Sequence, residues 1–549
     1  MTRVALAAAC LVALIQTAPA HAGRWAVGVE AGASLADVAG SVERVTGSPS
    51  GRSLADLRAL LVDAPSPDAL RALSGVEYVE RLDVPRRLSF APNDPLAAKQ
   101  WHLEHVRAFD FWPDLPALPG PRVAVIDSGI DGTHPEFAGK IAATRSFVGG
   151  SALTDQQGHG TFIAGIVAAQ TNNAVGVAGI AFPAQLLVAK VVRSNRMVSL
   201  EAEAEAIRWA VDNGARVINL SLGGLRDPRD PERDTYSRLE AAAIRYAYTR
   251  GVVVVAAVGN GDQAPTTPWP FASYPAALPH VIGVSALAKD GSVPNFSNRD
   301  PIYNDVAAPG QAIVSTMPRQ LTAQRPSCEE QGYSLCGSEE YRTAEGTSFA
   351  APQVAAAAAL LLSVRPLLQP DQVAYLLTRT ADDVSASTGC ARCAPFRDLH
   401  SGWGRLSVGK ALAAIQEPIP AGDRYESNDD AGGQAPPLRR ARAHFTATLD
   451  FWDDQVDVYK VYLRKRQRIV VMLDGPRGTN SDLVLWKPGT LRVEGLALDL
   501  RRRAAQSARR GANERIAYRA PAAGWYFVQV KITQPGAGTY RLAFQKSRS

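Results

Sequence analysis

Three short segments of this chain carry the residues that could do chemistry. Asp127 lies in Val-Ile-Asp-Ser-Gly, His159 in Gly-His-Gly-Thr, and Ser348 in Gly-Thr-Ser-Phe-Ala-Ala-Pro. A serine hydroxyl becomes nucleophilic when an imidazole accepts its proton, and the imidazole needs a carboxylate to fix its tautomer and stabilise its cation. We therefore predict nucleophilic catalysis in which Ser348 attacks, His159 is the general base and Asp127 orients that base.

A fourth residue, Asn260, follows an apolar run in the sequence Val-Gly-Asn-Gly. An Asn-Gly pair by itself more often marks a plain turn. Beside the other three residues, its side-chain amide is predicted to donate a hydrogen bond to the oxyanion of the reaction. Gly346 lets the backbone approach the nucleophile closely. Pro352 is predicted in the first turn of the next helix, whose positive end would also favour the oxyanion.

The elements that position these residues form an alternating strand and helix pattern from about residue 123. Continuous Val/Ile runs between helical stretches indicate a mostly parallel sheet covered on both faces, so the fold class is α/β. The carboxyl ends of such strands gather functional residues, and both Asp127 and Asn260 follow a predicted strand. An Ala/Leu-rich stretch is apolar nearly all round and is predicted as a buried central helix, residues 350–364.

The composition is that of a soluble globular protein with two or three folded units, since the chain has 549 residues, 46% hydrophobic and 20% charged. A net charge of +6 over this length is a mild basic bias, and we predict no nucleic-acid binding from it. The apolar run at residues 252–258 is short and indicates a buried strand. We expect no membrane anchor and a monomer.

Residues 1–22 are predicted to be a signal peptide. Arg3 gives a positive start, residues 5–15 form a short apolar core, and Ala20-His-Ala22 is a cleavage site, so the mature chain would begin at Gly23. Cys10 lies inside the apolar core rather than after it, which disfavours lipidation. The prediction is therefore a secreted protein, extracellular or periplasmic.

The remaining cysteines form an even set, and in an exported protein such a set predicts two disulfides. Local pairing is favoured: Cys328 with Cys336, and Cys390 with Cys393. The alternative is a zinc site made by all four cysteines.

Segments with a different character flank the alternating region. Residues 23–92 read as a small α+β unit, and their position between an export signal and a catalytic region favours a propeptide over an ordinary subdomain. A Pro-rich linker, residues 416–422, ends the central region, residues 93–415. Short alternating strands separated by turns then predict a β-sandwich over residues 423–549.

Together the acid, base, nucleophile and amide segments resemble those of the subtilisin-like serine peptidases, the subtilases, over about residues 93–415. The resemblance implies a three-layer α/β fold and endopeptidase activity on polypeptides through an acyl-enzyme, with no cofactor for catalysis. Phe162, Phe349 and Gln353 replace the usual family residues at positions that are not catalytic. Two stretches exceed the length of compact members and are expected to be surface insertions, residues 225–239 and 318–342.

The resemblance also implies a substrate site. Ser221, Leu222 and Gly223 match the edge segment that pairs with the substrate backbone as an added strand. The pocket for the side chain before the cleaved bond is expected to be lined by Leu222, Ala257, Val258, Gly259 and Ser273. Nothing in this set demands a charged substrate, so we expect an apolar or aromatic preference.

Structural calcium is common in the family. Glu136 matches a ligand position, and Asn173, Val175 and Val177 could add side-chain and carbonyl oxygens, with Asp94 completing the site. The alternative is a solvated carboxylate beside a turn.

The flanking segments resemble parts of known secreted peptidases. The segment 23–92 resembles a subtilase propeptide, an intramolecular inhibitor that would be cut between about residues 88 and 93. The last region resembles the bacterial pre-peptidase C-terminal domain through Asp423 to Asp429, Asp457-Val-Tyr459 and Gly538-Thr-Tyr540. Its basic runs are expected to be solvated loops.

Two other functions use the same residues. A binding protein with this fold could have lost turnover, although intact catalytic positions argue against it. An esterase would share the mechanism, but the strand-like edge segment favours a polypeptide substrate.

Overall fold

The protein is described from a computed structural model. It divides into two compact units, Met1–Leu88 and Ser89–Ser549. The structure describes residues 23–47, 52–64, 66–82, 90–112, 120–262, 264–324, 339–419, 423–426, 428–451, 454–493 and 500–547. The predicted signal peptide therefore lies outside the described residues.

The first unit is an antiparallel sheet with two helices. Helix α1 begins after Ser34, whose hydroxyl accepts from the Asp37 N–H, and it ends at Gly47, where φ is +67°. The strand order is β2-β3-β1-β4. The elements are β1 (Gly23–Val29), α1 (Leu35–Thr46), β2 (Arg52–Leu54), β3 (Ala59–Ala64), α2 (Asp68–Arg71) and β4 (Val76–Arg81). This small α+β unit agrees with the prediction for this part of the chain.

The second unit is built on a seven-stranded sheet in which every neighbouring pair is parallel, in the order β11-β10-β9-β8-β5-β7-β6. Sequence patterns did not reveal β6 and β11, because β6 is a half-exposed edge strand and β11 has only four residues. The strands are β5 (Arg122–Asp127), β6 (Ile141–Ser146), β7 (Gln185–Lys190), β8 (Ala215–Leu220), β9 (Val253–Ala257), β10 (Val281–Leu287) and β11 (Val306–Pro309).

Helices cover both faces of this sheet. They are α3 (Trp101–His105), α4 (His159–Ala168), α5 (Leu200–Asp212), α6 (Arg238–Tyr248), α7 (Arg319–Gln324), α8 (Thr347–Val364), α9 (Pro370–Arg379) and α10 (Val408–Ala413). A ribbon of β12 (Ile313–Thr316) and β13 (Tyr341–Ala344) packs beside them, and single 3₁₀ turns occur at Ala55–Leu57, Ala97–Lys99, Pro135–Phe137, Ala386–Thr388 and Ala414–Gln416.

Alternate side chains of each strand enter two different cores. In β5, Val123 and Val125 pack with α4 and α8, whereas Ala124 and Ile126 pack with α5 and α6. This period of two is what a sheet buried on both faces requires. The predicted three-layer α/β arrangement is confirmed.

The central helix α8 begins earlier than predicted, at Thr347. Pro352 consequently lies in the second turn and not in the first, which corrects the prediction for this residue. By length and composition α8 could cross a membrane, but 83% of it is buried inside the protein, as expected of a core helix.

The C-terminal β-sandwich consists of two four-stranded antiparallel sheets, ordered β14-β21-β16-β19 and β15-β20-β17-β18. Apolar side chains from both sheets, such as Val471 and Val528, form one core. The strands are β14 (Arg442–Asp450), β15 (Val456–Leu463), β16 (Arg468–Asp474), β17 (Ser481–Trp486), β18 (Arg503–Ser507), β19 (Asn513–Arg519), β20 (Gly524–Ile532) and β21 (Ala537–Lys546). The sandwich fold is the one that the sequence predicted.

Candidate active site

Asp127 and His159 meet where a strand ends and a helix begins. Asp127 is the last residue of β5 and His159 the first of α4, after Gly158 with φ +86°. His159 Nδ1 lies 2.8 Å from Asp127 Oδ1 and 2.9 Å from Oδ2. The Ser128 N–H donates to Asp127 Oδ1 at 2.7 Å, which holds the carboxylate in place. This geometry suits an imidazole that is a hydrogen-bond donor at Nδ1.

The surroundings of His159 favour its protonated form. Burial alone disfavours the imidazolium, but the charge and hydrogen bond of Asp127, followed by the charge of Asp155, outweigh it and raise the pKa of His159. Asp155 also accepts from the Ser128 hydroxyl at 2.8 Å and the Gly158 N–H at 2.9 Å. Sequence reasoning missed Asp155, although an acid four residues before the histidine was a readable signal.

Ser348 lies in the first turn of α8, next to a residue that contacts the imidazole. The ring of the adjacent Phe349 packs against that of His159, with centroids 5.5 Å apart. Ser348 Oγ donates to the Ser221 carbonyl at 3.2 Å, and Ser221 Oγ donates back to the Ser348 carbonyl at 2.7 Å. The nucleophile candidate is thus bonded to the segment predicted to bind substrate.

Asn260 is oriented by the turn that precedes the nucleophile. Its Oδ1 accepts from the Thr347 N–H at 2.8 Å and from the Thr347 hydroxyl at 2.9 Å. With the carbonyl end bonded, the Nδ2 group is the end left to serve as a donor. A Cβ on Gly346 would come within 3.4 Å of Nδ2, and the φ of +148° at Gly346 is one that few side chains adopt. The amide therefore lies beside the backbone of the nucleophile turn.

The predicted pocket residues come together behind this turn. The Ser273 N–H donates to the Val258 carbonyl at 2.8 Å. A Cβ on Gly259 would lie 2.4 Å from Ser273 Oγ, so only glycine allows this approach. Ala257 ends β9, and the remaining members of the set directly follow β8: Ser221, Leu222 and Gly223.

One residue of the pocket was not predicted. Asn298 is fully buried, and its Nδ2 donates to the Val258 carbonyl at 3.0 Å and to Ser273 Oγ at 3.2 Å. Asn298 thus connects the pocket segment that contains Val258 to the one that contains Ser273. Its sequence context, Phe-Ser-Asn-Arg, carries no motif by which it could have been found.

The predicted calcium ligands also converge, in the loop that follows α4. Glu136 is fully buried, and its Oε1 accepts from the Val177 N–H at 3.0 Å, while Oε2 is buried without a hydrogen-bond partner. Asp94 accepts from the Asn173 N–H at 3.3 Å, and Asn173 Oδ1 accepts from the Val175 N–H at 2.8 Å. An unpartnered buried carboxylate oxygen beside a second acid is the donor set that calcium takes.

The electrostatic surroundings of Glu136 disfavour its ionised form when no cation is bound. Burial, together with the smaller effect of the nearby Asp94 charge, raises its pKa to about 7 against the hydrogen bonds from Val177 and Tyr341 that lower it. A bound divalent cation would reverse this effect, because it stabilises the ionised carboxylate. The residues present therefore fit a structural calcium ion.

A second group of acids lies in the C-terminal region. Carboxylate oxygens of Glu426, Asp454 and Asp457 lie within 4.8 Å of one another, an arrangement that can hold a divalent cation. The resemblance of this region to a known domain did not predict this group of acids.

Cys390 and Cys393 are bonded, with their sulfur atoms 2.06 Å apart and their Cα atoms 5.4 Å apart. Cys328 and Cys336 lie outside the described residues, so their pairing stays a prediction.

A carboxylate, an imidazole and a serine hydroxyl at the edge of a three-layer α/β fold define a class of hydrolases that use serine as nucleophile. The comparisons with known proteins agree. A model of the subtilase family matches residues 119–404, and a model of the bacterial pre-peptidase C-terminal domain matches residues 455–532. The chain belongs to the subtilase family and is a serine endopeptidase.

Relatives in the same family align with the central region. Thermitase of Thermoactinomyces vulgaris is 33% identical over 301 residues, which is 54% of this chain and 94% of thermitase. Subtilisin DY of Bacillus licheniformis is 36% identical over 267 residues, 48% of this chain and 85% of that protein. A thermophilic serine proteinase of Bacillus sp. strain AK1 is 36% identical over 277 residues, 50% of this chain and 60% of that proteinase.

Proposed function

We propose that this chain is an exported endopeptidase that cleaves peptide bonds through an acyl-enzyme on Ser348. The observation that supports this most is the bonded pair of Asp127 and His159 beside the first turn of α8, which carries Ser348. His159 is the general base, Asp127 orients it, and Asn260 donates to the oxyanion.

The substrate backbone pairs with Ser221 to Gly223 as an added strand, which brings its scissile carbonyl to Ser348. Ser348 Oγ then leaves its bond to the Ser221 carbonyl and attacks the carbonyl carbon, while its proton passes to His159 Nε2. Asp127 stabilises the imidazolium that results.

Negative charge on the tetrahedral intermediate develops next to Asn260 Nδ2 and the start of α8. The first N–H groups of a helix have no partner within that helix, and the helix dipole is positive there. His159 next gives its proton to the leaving amine, and a water molecule activated by the same imidazole releases the acid product.

The other parts of the chain have supporting roles in this proposal. Residues 1–22 direct export, 23–92 inhibit the enzyme until they are cut off, 93–415 form the peptidase, 416–422 link it to the sandwich, and 423–549 form that sandwich. The enzyme acts outside the cytoplasm as a monomer, braced by disulfides and by calcium at Glu136 and Asp94. A relative named as a cell wall-associated protease of Bacillus subtilis supports action outside the cytoplasm.

Expression of the wild type beside Ser348→Ala tests the proposal. The intact mass and N-terminus of each exported protein are determined, and each is assayed on a peptide and on a simple ester. We expect the wild type to start near Asn93 and to cleave the peptide, and Ser348→Ala to keep residues from Gly23 and to cleave neither substrate.

The rival functions predict different outcomes. If both proteins keep the segment 23–92 and neither hydrolyses substrate, the chain is a binding protein with this fold. If the wild type cleaves the ester but not the peptide, it is an esterase.

A further inference from the structure

Arg492 of the C-terminal β-sandwich is buried against the peptidase region. It is 1% exposed, and its Nε lies 3.2 Å from Oδ2 of Asp430, within its own part of the chain. Its terminal nitrogens cross to the peptidase: Nη1 donates to the Tyr274 hydroxyl, and Nη2 donates to the Ala277 carbonyl and the Tyr303 hydroxyl, each at 3.3 Å. A guanidinium with this many bonds holds its partners in one geometry.

Three aromatic rings and one carbonyl group surround the guanidinium. We call this set the Arg492 socket; it consists of Tyr236, Tyr274, Ala277 and Tyr303. Arg492 Cζ lies 5.1 Å from the ring centroid of Tyr236 and 5.8 Å from that of Tyr274. Tyr236 belongs to the segment that the sequence analysis expected to be a surface insertion. Its first residues, Leu225 to Asp227, are buried, whereas residues 228–236 are exposed or half-buried. Through Tyr236 this segment helps to form the socket.

Tyr274 connects this socket to the predicted substrate pocket. Its N–H donates to the Gly224 carbonyl at 2.9 Å, and its carbonyl accepts from the Gly224 N–H at 3.0 Å. The preceding residue, Ser273, bonds to Val258 on the opposite side of the pocket. The Ser273–Tyr274 dipeptide thus bonds to both sides of the pocket, and the Tyr274 hydroxyl accepts a hydrogen bond from Arg492.

We propose that Arg492 is a positioning residue that sets the shape of the pocket for the side chain before the cleaved bond. The C-terminal β-sandwich then determines part of the peptidase's specificity. This inference rests on the proposed function. Loss of the guanidinium leaves the Tyr274 hydroxyl with one partner, Asp234 Oδ1 at 3.5 Å, and leaves Asp430 buried without its cation. The Ser273–Tyr274 dipeptide can then shift.

The test uses the full chain and three variants of the contact: Arg492→Lys, Arg492→Met and Tyr274→Phe. Tyr274→Phe removes the hydroxyl with its bonds to Arg492 and Asp234 but keeps the Arg492–Asp430 ion pair, so it decides the question if Arg492→Met does not fold. The matched control is Gln434→Ala, which breaks a different bond between the same two regions, from Arg245 Nη1 to Gln434 Oε1 at 2.7 Å.

Active sites are counted with a fluorophosphonate, and kcat and KM are measured on two peptides that differ only in Ala or Phe before the scissile bond. We expect the ratio of the two kcat/KM values to change about tenfold in Arg492→Met, mainly through KM, because small misplacements of a binding wall cost that much. Tyr274→Phe should change it in the same direction, Arg492→Lys should recover part of the change, and Gln434→Ala should keep the wild-type ratio.

An unchanged ratio in Arg492→Met and Tyr274→Phe would overturn the inference. So would an equal loss on both peptides matched by a loss of titratable sites, since that outcome shows a role in stability alone. If the wild type itself cleaves neither peptide, the proposed function fails and not the assignment of Arg492.

Discussion

Ser221 and Ser348 exchange hydrogen bonds: Ser221 Oγ donates to the Ser348 carbonyl at 2.7 Å, and Ser348 Oγ donates to the Ser221 carbonyl at 3.2 Å. Pro352 explains the first bond. It lies four residues after Ser348 in α8 and has no N–H, so the Ser348 carbonyl lacks its usual helical donor. Ser221 supplies that donor from the predicted substrate segment.

Ser221→Ala should lower the free energy of unfolding by about 1 kcal/mol, because it leaves the Ser348 carbonyl without this donor. Ser221→Ala also removes the acceptor of the buried Asn219 Nδ2, which donates to Ser221 Oγ at 2.9 Å. Pro352→Ala restores an N–H at the helical position, so the double variant should recover the part of the loss that comes from the Ser348 carbonyl. Denaturant unfolding of the two single variants and the double variant measures the coupling. Equal stabilities of Ser221→Ala and the double variant would show that Pro352 is not the reason why the Ser348 carbonyl needs a donor from outside the helix.

Asn260→Ala should lower kcat by about 10²–10³-fold with little change in KM, because the amide acts on charge that develops only in the transition state. The control is Thr347→Val, which removes the hydroxyl bond to Asn260 Oδ1 but keeps the N–H bond. Its kcat should fall far less. Steady-state kinetics on one peptide separate the two effects, and a loss confined to KM would argue against an oxyanion donor.

The pH profile of kcat/KM should rise along an acid limb as His159 loses its proton, since the base must be neutral. Because its pKa is raised by Asp127 and Asp155 against burial, the midpoint should lie above the value of about 6.5 for an exposed histidine. Asp155→Asn removes one of these charges and should move the midpoint down. A midpoint that stays or rises in this variant would contradict the electrostatic assignment.

Glu203 on α5 and Glu240 on α6 hydrogen-bond each other while each is 3% exposed. Burial raises the pKa of Glu240 to about 7, and burial with the Glu240 charge raises that of Glu203. In the unfolded chain both carboxyl groups titrate near pH ~4.3. Between that pH and the raised pKa values, the folded state holds more protons than the unfolded state, so its stability falls as the pH rises.

Glu240→Gln should therefore raise the free energy of unfolding at pH ~8 by about 1–3 kcal/mol and change it little at pH ~4. Thermal unfolding at the two pH values measures this. The same effect at both pH values would show that the two carboxyl groups do not share a proton.

Removal of calcium with a chelator should lower Tm, and the stabilisation that returns at a free calcium concentration of 100 times Kd is about 2.7 kcal/mol. Glu136→Gln should abolish most of this dependence on calcium. Glu340→Gln should keep it, because Glu340 is a half-buried acid whose Oε2 lies 3.6 Å from His134 Nε2 and it is not in the predicted ligand set. A dependence that persists unchanged in Glu136→Gln would place the bound calcium elsewhere.

The fold was predictable where the chain is strongly apolar. Val/Ile runs predicted β5, β7, β8, β9 and β10, because a strand buried on both faces is mostly apolar. The start of α8 was missed by three residues, since Gly346, Thr347 and Ser348 carry no apolar periodicity. The helix starts there because of tertiary bonds from Asn260 and Ser221.

Some residues of the candidate site were predictable from the sequence and others were not. The sequence revealed Asp127, His159 and Ser348, because each lies in a short segment of small residues of the kind that the catalytic chemistry requires. Asn298 and Arg492 act through long-range contacts, and neither has a local motif. Residues of that kind become visible only when the chain is folded.

Labelling with a fluorophosphonate, followed by mass spectrometry of the peptides, tests the central claim most directly, because this reagent reacts with an activated serine. The account predicts one adduct on Ser348 in the mature wild type, none in Ser348→Ala, and slow labelling in His159→Ala. An unlabelled wild type, or an adduct on another serine that persists in Ser348→Ala, would contradict the assignment of Ser348 as the nucleophile.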